Sequence, residues 1–323
     1  MAKGTKRDYY AIFAGGQINR VYKGRIVGRE GLPNKLGLPE TPIEPSKDID
    51  WLKQKAKQED GCIVSVGGLV LDMEKLANGL VSILLNTIDR YYMTVKCIGP
   101  ALERAGFAYE LLVCDNGSSD RRVIDYIETL KPVYFRQNQF NEGCGQMHNQ
   151  MLLRAKGDWI CLLDNDIEIY GDGWLRALVE TYESVPNSGV IGIHTKKLCP
   201  EKHNAVNVNG VTIFEAIPPK EDAVFGTRLF GRNVLEKVGY FSEDYGPYAL
   251  VDNEYNSRVH HSGFRNYYID WPSGLHLDID VGQNTPYRLM KDASMKRAMP
   301  IMAENMRRYF ETKNFHIPPP AMR

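Results

Sequence analysis

One apolar run in this chain leads straight into acid. Trp159, Ile160, Cys161, Leu162 and Leu163 are followed by Asp164, Asn165, Asp166, Ile167 and Glu168. Five mostly apolar residues in a row read as a buried strand. Asp164 and Asp166 stand two apart, so in extended backbone they project to the same side. Two carboxylates held together at a strand end repel one another unless a cation lies between them. Hard divalent ions, Mn²⁺ or Mg²⁺, take such oxygen ligands and commonly bring a phosphate-bearing substrate with them. Taken alone, an acidic turn that merely ends the strand explains the triplet equally well.

The elements that must position these acids appear as an alternation of strands and helices from residue 80 to about 282. Residues 81–85, 109–114, 133–135 and 159–163 read as strands, and 93–105, 121–130 and 145–155 as helices. This rhythm predicts an α/β fold with a mostly parallel sheet and helices on both faces. Crossovers should be right-handed, and ligands should gather at the carboxyl ends of the strands.

Each strand end carries polar groups. The first offers Asn86, Thr87, Asp89 and Arg90. The second runs from Asp115 to Asp120, with Ser118 or Ser119 expected as the next helix's N-cap. Capping leaves Asp115 unexplained, and a carboxylate at that position can accept a hydrogen bond from a base or ribose. The third has Asn141, Gly143, Gly145, His148 and Asn149. Its glycines permit close backbone approach, and the helix that follows offers N–H groups to an anion. One of His148 and Asn149 is expected on the helix face and the other at the site.

Composition sets the outer bounds. At 323 residues the chain can form one large domain with an extension, or two domains. With 40 basic and 40 acidic residues there is no global pull toward nucleic acid, although a local basic patch is open. Six scattered cysteines without a C-x-x-C pair predict buried thiols in a reducing compartment. No apolar stretch follows the basic N-terminus and no run reaches the roughly 18 residues of a membrane helix, so no membrane insertion and a cytoplasmic location are expected.

Residues 24–45 are rich in Gly and Pro and read as loop, 48–58 as a short helix and 62–66 as a strand. From about residue 284 the chain reads as helical and then Pro-rich. Lys291, Lys296, Arg297, Arg307 and Arg308 there suggest a solvated basic face, or a cradle for a phosphate-rich acceptor such as DNA. His260 with His261 read as solvated or packing residues, and Tyr240 with Phe241 and Tyr267 with Tyr268 as packing residues.

The motifs in this order resemble the family 2 glycosyltransferases of the GT-A fold, over roughly residues 80–280. The likeness continues through 225–232 and 235–245, similar to that family's acceptor region, and through 251–258, similar to its E-D-x-D-x-x-x-R stretch. The resemblance implies a Rossmann-like, mostly parallel mixed sheet flanked by helices. An N-terminal extension (1–79), a GT-A domain (80–282) and a helical C-terminal tail (283–323) would follow.

It also implies site roles. Asn86, Thr87 and Asp115 would line the nucleotide base pocket, and Asn141, Gly143 and Asn149 would belong to the donor-binding motif. Asp164 would face the ribose, Asp166 and His276 would ligate Mn²⁺ or Mg²⁺, and Asp252 would be the general base. Such enzymes move a sugar from a nucleotide-sugar donor, commonly a UDP-sugar, to an acceptor hydroxyl by single displacement with inversion. Val251 departs from the glutamate usual before the base, Glu254 stands where aspartate is common and serves as the fallback base, and Met147-His148 replaces the usual small residues. The acceptor is left open among a glycan, a protein, a small molecule and a modified nucleic-acid base. A nucleotidyltransferase and an inert nucleotide-sugar-binding module are the alternative readings.

Overall fold

The structure is a computed structural model. It describes residues 79–196, 198–199, 204–208, 210–217, 223–277 and 286–321, together with the backbone of five earlier strands. Those strands are β1 (Tyr9–Phe13), β2 (Gln17–Tyr22), β3 (Arg25–Gly28), β4 (Ile63–Val66) and β5 (Leu69–Asp72). β3 corrects the loop expected over 24–45. The Gly and Pro residues that motivated it are concentrated from Gly28 onward, while Arg25, Ile26 and Val27 are free of either and include two β-branched residues. The rest of that loop, the helix expected at 48–58 and Cys62 lie outside the described residues.

Next come β6 (Val81–Thr87), α1 (Tyr91–Glu103), β7 (Tyr109–Asp115), α2 (Arg121–Thr129), β8 (Tyr134–Gln137), α3 (Cys144–Leu152) and β9 (Trp159–Asp164). Then follow β10 (Ile167–Tyr170), α4 (Trp174–Ser184), β11 (Ser188–Lys196), β12 (Ala205–Val208), β13 (Val211–Ala216) and β14 (Arg228–Gly231). The chain ends with α5 (Arg232–Val238), α6 (Val251–His261), β15 (Arg265–His276) and α7 (Pro286–Thr312). Helix α1 begins two residues before the expected start because Arg90, in left-handed backbone with φ 59°, takes the N-cap without a side-chain cap. No Ser, Asp or Asn signals such a start.

The sheet is mixed, with a parallel centre. β6 pairs in parallel with both β7 and β9, and β7 with β8, whereas β14 inserts antiparallel between β9 and β11. Strand periodicity divides the apolar side chains between two faces. Val81, Ile83 and Leu85 join one core with α1, α2 and α4, while Leu84, Leu112, Ile160 and Leu162 join the other with α3, α5 and α6. Each such buried aliphatic contributes about 1.5–3 kcal/mol, so a one-residue slip that turned these strands over would be heavily disfavoured.

That fixed register aligns the polar ends. Thr87 stands beside Asp115, and Asn86 beside Asp164. Pairing of β10 with β15 sets Ile167 opposite His276, which delivers His276 to Asp166 from more than 100 residues away. Beyond α7 the chain turns back, and Ile317 bridges Gly239. Gly239 is required there: its φ is +71°, and a Cβ would lie 1.8 Å from the Ile317 carbonyl oxygen.

Candidate functional site

Asp164 and Asp166 sit where β9 gives way to β10, both partly buried. Asp166 Oδ2 lies 3.3 Å from His276 Nε2 and accepts a hydrogen bond from Arg90 Nη1 at 3.2 Å. Burial would push the Asp166 carboxyl up. The His276 hydrogen bond, with the charges of His276, Arg90 and Lys291, outweighs it and holds the group below the usual carboxylate range. Asp164 has no such match. Its burial, aided by Asp166 and Asp252 and opposed by Arg228 and His276, pushes its carboxyl up to about 6. Two acids two residues apart therefore behave oppositely.

At the neighbouring strand end, Asp115 is fully buried. Its Oδ1 accepts from the N–H groups of Gly117 (3.2 Å) and Ser118 (2.8 Å), and its Oδ2 from the hydroxyls of Thr87 (2.9 Å) and Ser118. Ser118 thus folds the loop onto Asp115, and the helix N-cap expected of Ser118 or Ser119 falls instead to Asp120, whose carboxylate accepts from Arg122 N. These contacts give Thr87 and Asp115 a shared structural task at the expected base pocket. Asn86 lies beside them, its Oδ1 buried and without a partner among the described residues.

The glycine-rich segment makes the close backbone approach that its glycines permit. Gly143 has φ +98°, and a Cβ there would lie 2.2 Å from the Gly246 carbonyl oxygen; one at Gly145 would lie 2.3 Å from that of Ser242. The close approach is thus to the 242–247 backbone. Asn141 Oδ1 accepts from Asn116 Nδ2 (2.6 Å) and Gly143 N (3.0 Å), which shapes the turn into α3. Asn149 is buried and clamps Phe241, donating to its carbonyl and accepting from its N–H at 2.9 Å each, with a further bond to Glu243 at 3.0 Å. His148 is buried against the Phe241 ring, and desolvation, helped by Arg228, drives its pKa well down. Both residues of the pair face the 241–243 segment.

Asp252 opens α6. Its carboxylate, 29% exposed, pairs with Arg228, which is 3% exposed and also donates to the Gly226 carbonyl at 2.6 Å. Glu254, the fallback base, is fully buried: it pairs with Arg258 (2.8 Å) and accepts from Tyr309 OH (2.7 Å). Of the two acids, Asp252 alone has access to solvent.

A match to known proteins decides the kind of domain. Residues 82–239 match the model of Glycosyl transferase family 2. That stretch, just under half of the chain, is similar to this family. An uncharacterized glycosyltransferase of Haemophilus influenzae is 23% identical over 142 residues, covering 44% of this chain and 46% of that protein. Among solved structures, the mannosyltransferase PcManGT of Pyrobaculum calidifontis, in complex with GDP-Man and Mn²⁺, is 14% identical with a TM-score of 0.48, covering 73% of this chain and 66% of that one. S. aureus TarS 1-349 in complex with UDP is 15% identical with a TM-score of 0.48, covering 60% and 59%. The chain spans less than half the length of its curated relative.

Around the matched stretch the acids fit a divalent ion in one respect and not another. Among the described residues, no three His, Cys, Asp or Glu side chains converge into a ready cage. Asp166 and His276 nevertheless bring one carboxylate and one imidazole to a common point, a pair that suits an ion whose remaining ligands come from substrate phosphate and water. Two groups escaped emphasis in the sequence, Arg228 and Arg258. The family 2 resemblance at 225–232 covered Arg228 without giving it a role. Nothing local marks which of two helix acids is buried.

Among the described residues, no helix is long and apolar enough to cross a membrane. The described cysteines carry free thiols. His261 packs between Phe310 and Phe315, while Phe241, Tyr267 and Tyr268 are buried.

Proposed function

We propose that this chain is a metal-dependent glycosyltransferase that moves a sugar from a nucleotide-sugar donor, a UDP-sugar first, to an acceptor hydroxyl with inversion. The observation that carries the reading is the meeting of Asp166 with His276 beside Asp164 at the carboxyl ends of parallel strands, with the Arg228–Asp252 pair close enough for its charges to act on Asp164. Asn86, Thr87 and Asp115 form the wall on which the base would rest. Asp166 and His276 are the residues that would hold Mn²⁺ or Mg²⁺, which when bound stabilises the charge that develops on a leaving diphosphate.

The protein's own part is proton removal and orientation. Attack on the anomeric carbon requires the acceptor hydroxyl to lose its proton, and Asp252 is the partly exposed carboxylate placed to take it. Arg228, anchored on the Gly226 carbonyl, holds that carboxylate in one orientation. The boundaries 80–282 for the transferase domain, with an extension before it and a tail after it, belong to the same proposal. So does a reducing cytoplasm, which suits the buried thiols of Cys97, Cys114 and Cys161.

The test is a binding and hydrolysis screen of UDP-, GDP- and dTDP-sugars with Mn²⁺ or Mg²⁺. Binding of one nucleotide class with metal-stimulated release of its sugar is expected. If no nucleotide sugar binds with metal present, the reading fails.

A further inference from the structure

We propose that Lys291, near the start of the C-terminal helix, is a ligand for the donor's diphosphate, so that α7 completes the donor site from outside the matched family region. The proposal rests on the glycosyltransferase reading. In sequence this lysine is one of several basic residues in a tail that reads as a solvated helix face. Helical spacing separates it from the others: Lys291, Ser294, Ala298, Asn305 and Tyr309 fall 3, 4, 7 and 4 apart and share one stripe. Ser294 and Ala298 are fully buried, while Asn305 and Tyr309 are nearly so. The stripe therefore faces the domain, and Lys291 is its end nearest the site.

The helix is fastened along that stripe. Asn305 Nδ2 donates to Asp244 Oδ2 at 3.2 Å, and Tyr309 OH to Glu254 Oε1 at 2.7 Å. Arg258 reaches past α7 to the Phe315 carbonyl at 3.3 Å. These contacts fix where the first turns lie. Lys291 Nζ sits 5.0 Å from the centre of the Tyr248 ring, on the loop that leads into Asp252. Its charge is felt at Asp166, just beyond β9, and at the Cys144 thiol at the start of α3.

Other basic residues of α7 are engaged with acids of the same helix: Arg288 with Asp292 at 3.2 Å, and Arg307 with Glu304 and Glu311 at 2.6 and 2.5 Å. A diphosphate delivered to the Asp164–Asp166 edge brings negative charge to negative charge. A lysine on a flexible four-carbon stem, held against an aromatic face, can offer its ammonium to that phosphate as a point charge. Arg90, at the N-cap of α1, and His276, at the end of β15, already converge on Asp166 Oδ2, whereas Lys291 belongs to α7.

The experiment measures affinity for UDP, GDP and dTDP and for the matching nucleosides, each with Mn²⁺. It compares the wild-type chain with Lys291→Met and Lys291→Arg. For the nucleotide that binds, Lys291→Met should weaken the diphosphate about tenfold or more while leaving the nucleoside unchanged, and Lys291→Arg should restore most of the loss. Equal diphosphate affinity in wild type and Lys291→Met overturns the proposal and leaves the glycosyltransferase reading standing. Parallel weakening of nucleoside and diphosphate also overturns it, because Lys291 would then only support the fold. Failure of the wild-type chain to bind any of the three diphosphates removes both.

Discussion

Two ion pairs on one helix show how this molecule separates chemistry from structure. Asp252 and Glu254 are two residues apart on α6, about 200° around the axis, so they leave the helix on opposite sides. Asp252 meets Arg228 with 29% of its side chain exposed, and Glu254 meets Arg258 with both partners fully buried. The first pair keeps one carboxylate edge open to an incoming group. The second is closed off: Arg258 also donates to the carbonyls of Val238, Tyr240 and Phe315, and Tyr309 completes Glu254. Acid and guanidinium are common to both. Burial and the count of remaining partners make one a candidate base and the other a fastener for the tail.

The largest expected difference is in turnover. Asp252→Asn removes the proton acceptor while keeping shape, so transfer should fall by about 10²–10⁴-fold with nucleotide affinity nearly intact. Full turnover in this variant would show the base assignment to be wrong. Glu254→Gln should act on the other side of the comparison. It leaves the Arg258 charge buried without its counter-charge, which costs about 3–5 kcal/mol of stability. Urea unfolding reads that loss directly. If Glu254→Gln unfolds like the wild type but loses transfer, the two roles are exchanged.

How much of this was legible in the sequence follows from the range of the interactions. Strands ending at Thr87, Asp115 and Asp164 were readable because an apolar run of fixed length and its polar end are local patterns. His276 was found only through a family pattern, since its partner Asp166 lies across the β10–β15 ladder. Asn149 read as a donor contact because its motif says so. Its actual bonds run to Phe241, 92 residues on, and no spacing rule carries that information. Glycines 143 and 145 were read as permitting close backbone approach, and the backbone that comes near is that of 242–247. A glycine records that something comes near, not what. The insertion of β14 between β9 and β11 is likewise a long-range choice.

The comparison extends to pH. Asp164 belongs to the crowded, open side, and its folded pKa lies near 6 against an ordinary 3.8. A carboxyl raised by folding binds its proton more tightly when folded, so the ionised form opposes folding. That opposition is fully present above about pH 6 and disappears as pH falls toward 4. Asp164→Asn should therefore stabilise the metal-free protein at pH 7.5 by about 1–2 kcal/mol, after screening by solvent, and by much less at pH 5. An equal gain at both pH values would assign the effect to packing instead of charge.

The smallest effect tests how complete the closed pair is. Tyr309→Phe removes one hydroxyl from Glu254 and leaves the ring between Arg258 and Phe315 in place. A buried hydrogen bond to a charged acceptor is worth about 1.5–3 kcal/mol when its loss strands the acceptor. Here Glu254 Oε1 keeps its bond from Arg258 Nε at 2.8 Å, so the acceptor is not stranded and the loss should be nearer 1 kcal/mol. The ring packing that holds α7 survives, so diphosphate affinity should stay at its wild-type value. A loss as large as that of Glu254→Gln would mean that Tyr309, and with it the C-terminal helix, is an equal partner in the buried network rather than a lid set upon it.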